Sequence, residues 1–191
     1  MTTLCMLLLS AVSGAEEQRW LAELNGAERQ RVEDTTHPLR RRQRLAGLHL
    51  ARQAAAERLG VPPERAALRR LPNGKLTAAG CCLSVSHSGD LVVCAVGDAP
   101  LGVDVERIRP APPALARRCF TDAERALLDA APEGEREICF WRIWTGKEAL
   151  AKRTGEGLAA LRRADTCAPG AGVRLSWQQR GEYLIAIAEK E

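Results

Sequence analysis

Aromatic side chains are scarce in this chain. They form 4% of its 191 residues, and four tryptophans outnumber two phenylalanines and one tyrosine. Each tryptophan is therefore expected to anchor a packed region. No C-x-x-C pair occurs among the seven cysteines, and there are only three histidines. That excludes a disulfide framework and the usual zinc spacings, so the thiols are read as small buried hydrophobes in a reducing cytosol. A long apolar run is missing too. The stretch from Leu4 to Ala15 is apolar and ends in small residues, like a secretory leader. However, no Lys or Arg precedes it, and it is too short to span a bilayer as a helix. It is expected to form a buried first strand. Nor is one sign of charge in large excess. A net charge of +4 fits an anionic ligand or an acidic partner without demanding nucleic acid.

What remains is ordinary globular composition, 46% hydrophobic and 27% charged, in a length that suits one domain or two small halves. Glu16 to Glu33 reads as a charged helix with Trp20, Leu21 and Leu24 on one face, broken by Thr36-His37-Pro38. An alanine- and leucine-rich helix from Leu45 to Gly60 follows the basic run Arg40-Arg41-Arg42-Gln43-Arg44. Cations at a helix N-terminus oppose its dipole. Either an anion binds there, meeting backbone N–H groups and guanidinium forks together, or the run is a solvated basic surface. The turn dipeptide Asn73-Gly74 leaves Lys75 exposed and able to reach a ligand. Cys81–Ser86 and Leu91–Val96 read as strands joined by Ser88-Gly89-Asp90, with His87 at the end of the first. Pro110, Pro112 and Pro113 form a rigid connector. Thr121 and Glu124 form a capping box with a structural role only. Val173–Trp177 and Tyr183–Ala188 close the chain as a second hairpin. Leu83-Ser84 and Leu175-Ser176 open the two hairpins at matching distances from Gly89-Asp90 and Gly181-Glu182. This hints at two halves of like design joined near Asp98-Ala99-Pro100.

Two stretches carry the chemistry. In Gly102-Val103-Asp104-Val105-Glu106 the valines alternate with the acids, so both carboxylates share one face of a strand. Such a pair suits a water-facing edge or a site that supplies a cation. In Phe140 to Lys152 the apolar residues recur at helical spacing, and Glu148 and Lys152 stand four apart on one side. A solvated ion pair explains that spacing as readily as a site does. If the helix docks on the strand, three carboxylates and an ammonium converge. Hard oxygen ligands of this kind suit magnesium. The residues alone thus reach magnesium-dependent phosphoryl-group transfer on an anionic substrate.

Gly102-Val103-Asp104-Val105-Glu106, followed by Trp144-Thr145-Gly146-Lys147-Glu148-Ala149-Leu150-Ala151-Lys152 and by Arg153-Thr154-Gly155-Glu156-Gly157-Leu158, resembles the paired signature of the 4'-phosphopantetheinyl transferases. Gly74-Lys75-Leu76 and Ser84-Val85-Ser86-His87-Ser88 resemble a third family segment, with Leu76 where the family has proline. The resemblance implies an α+β fold of two similar α/β halves, residues 1–98 and 99–191, related by a pseudo-twofold axis with the active site in the crevice between them. It implies a monomeric cytoplasmic enzyme acting on coenzyme A and an apo acyl or peptidyl carrier protein, with no nucleic-acid or membrane partner. Fatty-acid and secondary-metabolite synthesis both stay open. Asp104, Glu106 and Glu148 would hold Mg2+, Glu148 and Lys152 would be catalytic, and Lys75, Ser86, His87, Arg40 and Arg44 would bind the coenzyme. Two rival readings are a catalytically silent nucleotide-binding domain on this fold and a nucleic-acid-binding module built on Arg40–Arg44.

Overall fold

The computed structural model describes residues 1–191, the side chains at 158 and 159 excepted. Strand β1 (Thr3–Leu8) leads into α1 (Gly14–Glu23), α2 (Gly26–Glu33) and the long α3 (Pro38–Leu59). The charged stretch expected as one helix is two. Asn25 restarts the chain by accepting a hydrogen bond from Glu28 N, while the Glu28 carboxylate accepts from Asn25 N. Pro38 opens α3 and Gly60, in the left-handed region at φ 63°, ends it. Strands β2 (Arg69–Arg70), β3 (Leu76–Ala78), β4 (Cys81–Ser88) and β5 (Leu91–Gly97) complete an antiparallel sheet of order β1-β5-β4-β3-β2. Helix α3 crosses this sheet on a face of alanines and Gly47, and a Cβ at Gly47 would stand 3.0 Å from Val85 Cγ1.

The first strand departs from expectation. Only Leu9 and Val12, just beyond β1, are fully buried, while Met6 and Leu8 are exposed. β1 is an edge strand paired with β5, and its residues are only partly covered: Cys5 and Leu7 pack against the α3 core and Leu4 against the layer between the sheets.

The chain then builds a second, smaller sheet. It runs β6 (Gly102–Arg107), α4 (Pro113–Cys119), α5 (Asp122–Ala130), α6 (Arg136–Thr154), α7 (Leu158–Arg163), β7 (Val173–Arg180) and β8 (Tyr183–Lys190). Its sheet has the order β6-β8-β7, the same connection as β1-β5-β4. In each part a leading strand pairs antiparallel with the second strand of the closing hairpin. The proline connector gives way to α4 at Pro113, and α7 is a helix that the periodicity did not announce. Trp141 is buried, and its indole N–H donates to the Arg109 carbonyl oxygen at 2.7 Å. Trp20 is buried as well, while Trp144 and Trp177 pack half-buried against clusters around α6. All seven cysteines are unpaired.

The two sheets meet through one apolar layer and one polar ladder. Leu91, Val93 and Ala95 of β5 pack against Val103, Val105 and Ile185. This is why β5 is buried along its whole length. Beside that layer, Ser84 Oγ accepts from Val103 N at 3.0 Å and Ser88 Oγ from Arg107 N at 3.1 Å. Serine hydroxyls thus satisfy the free edge of β6.

Helix α6 lies on β6 and β8. A Cβ at Gly102 would run into the Ala149 carbonyl oxygen and lie 2.5 Å from Arg153 N. The strand and helix backbones approach so closely that only glycine fits. Gly102→Ala is expected to cost at least about 1–3 kcal/mol of stability through overpacking. Chemical denaturation checks this, and an unchanged midpoint would mean that the two elements can part freely.

Candidate active site

The close approach at Gly102 brings the acidic strand under the central helix. Lys152 Nζ donates to Asp104 Oδ1 at 2.6 Å and to Ser86 Oγ at 2.8 Å. Ser86 Oγ in turn donates to Asp104 Oδ1 at 2.7 Å, and Ser88 Oγ donates to Glu106 Oε2 at 2.6 Å. So the two sequence stretches do converge, and Lys152 is no solvated decoration. Asp104 is not on a water-facing edge either. It is 5% exposed.

Electrostatics at this point are frustrated. Burial raises the Glu148 carboxyl to about 7, the negative charges of Asp104 and Glu106 push the same way, and Lys152 offsets part of the rise. Glu106 is raised as well, by burial first and then by Asp104, against the lowering effect of its bond from Ser88. Asp104 Oδ2 is buried and has no hydrogen-bond partner. An unpartnered buried carboxylate oxygen is costly unless something meets it.

These residues fit a magnesium ion. The orphaned oxygen is a hard ligand, and burial and then the negative charge of Asp104 raise the two neighbouring carboxyls, a penalty that a cation would relieve. Magnesium needs only one or two protein carboxylates and completes its shell with water and phosphate oxygens. Among the described residues no three His, Cys, Asp or Glu side chains form a ready-made cage. The fit is therefore to an open site and not to an all-protein one.

Above the acids lies a cavity of about 460 Å³, walled by α3, the β2–β3 turn, β4, α6 and α7. His87, Glu148 and Lys152 line it, with Arg44, Arg70 and Lys75. His87 is open to solvent at its surface. The cleft walls and then the Lys152 ammonium depress its imidazolium, Arg40 adds to this, and Asp104 works against it. Alternation along β4 explains the division of labour. Val85 and His87 line the cavity, while Ser84, Ser86 and Ser88 turn to β6. Ser86, expected on the coenzyme, spends its hydroxyl on Asp104 and Lys152.

The arginine run is divided by helical rotation. Arg42 turns back to Glu17 and to the Leu9 carbonyl oxygen. Arg41 lines a separate cavity beside α1 and α2. Arg44 lines the main cavity, and Arg40, one turn earlier, lies near enough to His87 to act on its charge. The run is thus no continuous basic stripe.

Lys75 corrects its expectation. It is half-buried, and its Nζ donates to the Leu101 carbonyl oxygen at 3.2 Å and the Arg153 carbonyl oxygen at 2.9 Å. The β2–β3 turn folds onto the C-terminal end of α6, where a cation satisfies the last carbonyls. Asn73 fills the place where Gly155 has no Cβ. Burial depresses the Lys75 ammonium, with Arg153 adding to the effect.

Three features escaped the sequence reading. Ser84 and Ser88 share the period-two face of Ser86, a signal that was available. Arg70, whose guanidinium is depressed by burial and by Arg31 and Arg44, had no local signal at all. The Glu124 carboxylate, read only as a cap, is fully buried in an ion pair with Lys147.

Residues 100–187 match the sequence model of the 4'-phosphopantetheinyl transferase superfamily. A 4'-phosphopantetheinyl transferase of Bacillus subtilis is 30% identical over 151 residues, covering 78% of this chain and 67% of the relative. The 4'-phosphopantetheinyl transferase HetI of a Nostoc species is 34% identical over 149 residues, covering 73% of this chain and 63% of the relative. The 4'-phosphopantetheinyl transferase psf-1 of Bacillus pumilus is 37% identical over 121 residues, covering 62% of this chain and 52% of the relative. The chain thus spans between about half and two thirds of the length of these relatives. With the acidic strand and the lysine-bearing helix both inside the matched span, the chain belongs to the 4'-phosphopantetheinyl transferase superfamily.

Proposed function

We propose that the chain transfers the 4'-phosphopantetheine arm of coenzyme A to a serine of an apo acyl or peptidyl carrier protein, releasing adenosine 3',5'-bisphosphate. One observation carries this reading. Asp104, with an unpartnered buried oxygen, is bound by Lys152, and Lys152 lines a cationic cavity together with Glu148, whose carboxyl is raised to about 7.

In the transfer, the serine oxygen attacks the pantetheine-side phosphorus of the coenzyme's pyrophosphate. Its proton passes to Glu148, and the electron pair of the breaking P–O bond leaves on the bisphosphate. A carboxylate kept ionised by a nearby cation and within reach of the hydroxyl can accept that proton. Lys152 answers charge developing on phosphate, which is most of what such a site can contribute. Magnesium held by Asp104, Glu106 and Glu148 would supply neutralisation of the pyrophosphate charge. Ser86 fixes the Lys152 and Asp104 side chains against each other. His87, Arg40 and Arg44 form the coenzyme side, while Lys75 lines the same cavity with its ammonium held by the Leu101 and Arg153 carbonyl oxygens.

On this reading residues 1–98 supply the coenzyme wall and residues 99–191 the metal and catalytic wall, as halves related by a pseudo-twofold axis. The matching orders β1-β5-β4 and β6-β8-β7 support that relation. We further infer a monomer acting in the cytoplasm. No helix among the described residues is long and apolar enough to cross a membrane.

The test is release of adenosine 3',5'-bisphosphate from coenzyme A, dependent on magnesium and on an apo carrier protein. No release with any of a varied panel of carriers would overturn the reading. Within it, His87→Ala is expected to raise KM for coenzyme A more than it changes kcat, as when uniform binding is removed. An unchanged KM with a lowered melting temperature would return His87 to a structural role in the β4–β5 hairpin.

A further inference from the structure

A buried ion pair that takes no part in this chemistry stands directly behind it. Lys147 and Glu124 are both fully buried. Lys147 Nζ donates to Glu124 Oε2 at 2.8 Å and to the Ala164 carbonyl oxygen. Glu124 Oε2 also accepts from Thr121 N at 2.8 Å, and Oε1 accepts from Thr166 N at 2.8 Å and from Thr166 Oγ1 at 3.0 Å. One carboxylate thereby ties together the start of α5, the middle of α6 and the chain leaving α7.

Stability alone is a poor reason for such a pair. Apolar residues of similar volume often hold a core as well, because the charges need not be stripped of water. What charge-assisted bonds add is direction. Successive helix residues are about 100° apart, so Lys147 reaches back into the core while Glu148, the next residue, lines the cavity. Any rotation of α6 that released Lys147 would swing Glu148 and Lys152 away from Asp104. The preceding residue is equally constrained. A Cβ at Gly146 would come 2.8 Å from Thr166 Cγ2 and 2.9 Å from Trp177 Cζ2. The same Thr166 therefore meets α6 sterically and Glu124 through hydrogen bonds. Upstream of Thr166, α7 supplies Leu161 to the cavity wall.

We propose that the Lys147–Glu124 pair is a positioning clasp, which sets the rotation of α6 and the seat of α7 so that Glu148 and Lys152 meet Asp104. Both residues act through others and touch no substrate. The activity readout below rests on the transfer reading, and the exchange readout does not.

The test is the neutral double variant Lys147→Met/Glu124→Gln in the full chain, which keeps side-chain length and leaves an acceptor for Thr166. The kcat is expected to fall about 100-fold, the scale on which small misplacements act, and by far more than coenzyme A affinity measured by calorimetry. Amide hydrogen exchange is expected to quicken at residues 145–152 and 164–166. Should the double variant fail to fold, Thr166→Val removes one hydroxyl bond to Glu124 and is read in the same way, with kcat lowered and KM unchanged. Wild-type kcat and wild-type exchange in a folded variant would overturn the clasp. So would activity lost only in proportion to unfolded protein. If the wild-type chain transfers nothing, the transfer reading fails, and the exchange comparison alone decides the clasp.

Discussion

Asp104→Ala is expected to lower turnover by about 10³-fold or more while the chain stays folded, the scale set by losing one preorganised electrostatic group at a phosphoryl centre. The side chain is buried, so its removal is not the neutral loss of an exposed acid. Two effects oppose each other. Lys152 loses its partner, but it keeps Ser86 and its side chain is 30% exposed, so water can meet the ammonium. In return an unpartnered oxygen disappears, and repulsion of Glu148 and Glu106 is relieved. The Glu148 carboxyl is expected to move down from about 7 as that repulsion goes. Single-turnover rates at saturating magnesium, beside a melting curve, check the prediction. Turnover within about tenfold of wild type, one such unit of barrier, would remove Asp104 from the site.

The second large effect separates Glu148 from Lys152. As a surface ion pair, either residue could be replaced for within about 0.5 kcal/mol of stability and nothing else. The geometry instead gives them different partners and hence different lesions. Glu148→Gln keeps the shape and removes a charge proposed to hold magnesium, so magnesium affinity and turnover are both expected to fall. Lys152→Ala leaves the three acids in place, so magnesium still binds while transfer drops by about 10²–10³-fold. Without Lys152 the Glu148 carboxyl loses the one charge that lowers it, and the rising limb of the pH–rate profile moves to higher pH. Calorimetric magnesium titration with coenzyme A present, together with single-turnover rates, distinguishes the two. Normal binding and normal turnover in both variants would reduce this helix to scaffolding.

A pH signature in the wild-type chain follows from the same group. The folded Glu148 carboxyl, at about 7, lies above its ordinary value of 4.5. Between those values the folded chain holds a proton that the unfolded chain releases. Stability of the metal-free protein is therefore expected to fall as pH rises through this window. Magnesium should flatten the trend by favouring the ionised form. Denaturant midpoints across the window, in chelator and in excess magnesium, test it, and identical slopes would argue against a metal at these acids.

The parts of this site that could be read in advance are those whose geometry is local. Asp104 and Glu106 share a face because strands repeat every two residues, and Glu148 and Lys152 share one because helices repeat near every four. The capping box at Thr121 and the stop at Gly60 depend only on neighbouring residues. The misreadings have long-range causes. Lys75 looked free because its partner carbonyl, on Arg153, lies 78 residues away. Lys147 gave no local sign of burial, because the counter-charge that lets it be buried sits 23 residues earlier. β1 looked buried because its composition does not say that a single neighbour would pair with it. Asn25 was overlooked as a cap within a charged stretch that otherwise reads as one helix.

On the proposed function, this acid-and-lysine cluster moves phosphopantetheine onto a carrier serine. Intact mass spectrometry of an apo carrier protein, incubated with the chain, coenzyme A and magnesium, tests it most directly. The account predicts that the carrier gains one phosphopantetheine at its serine. It predicts no gain with a serine-to-alanine carrier, with Asp104→Ala, or in chelator. An unmodified carrier across a panel of acyl and peptidyl carrier proteins, with a folded chain that binds coenzyme A, would contradict it.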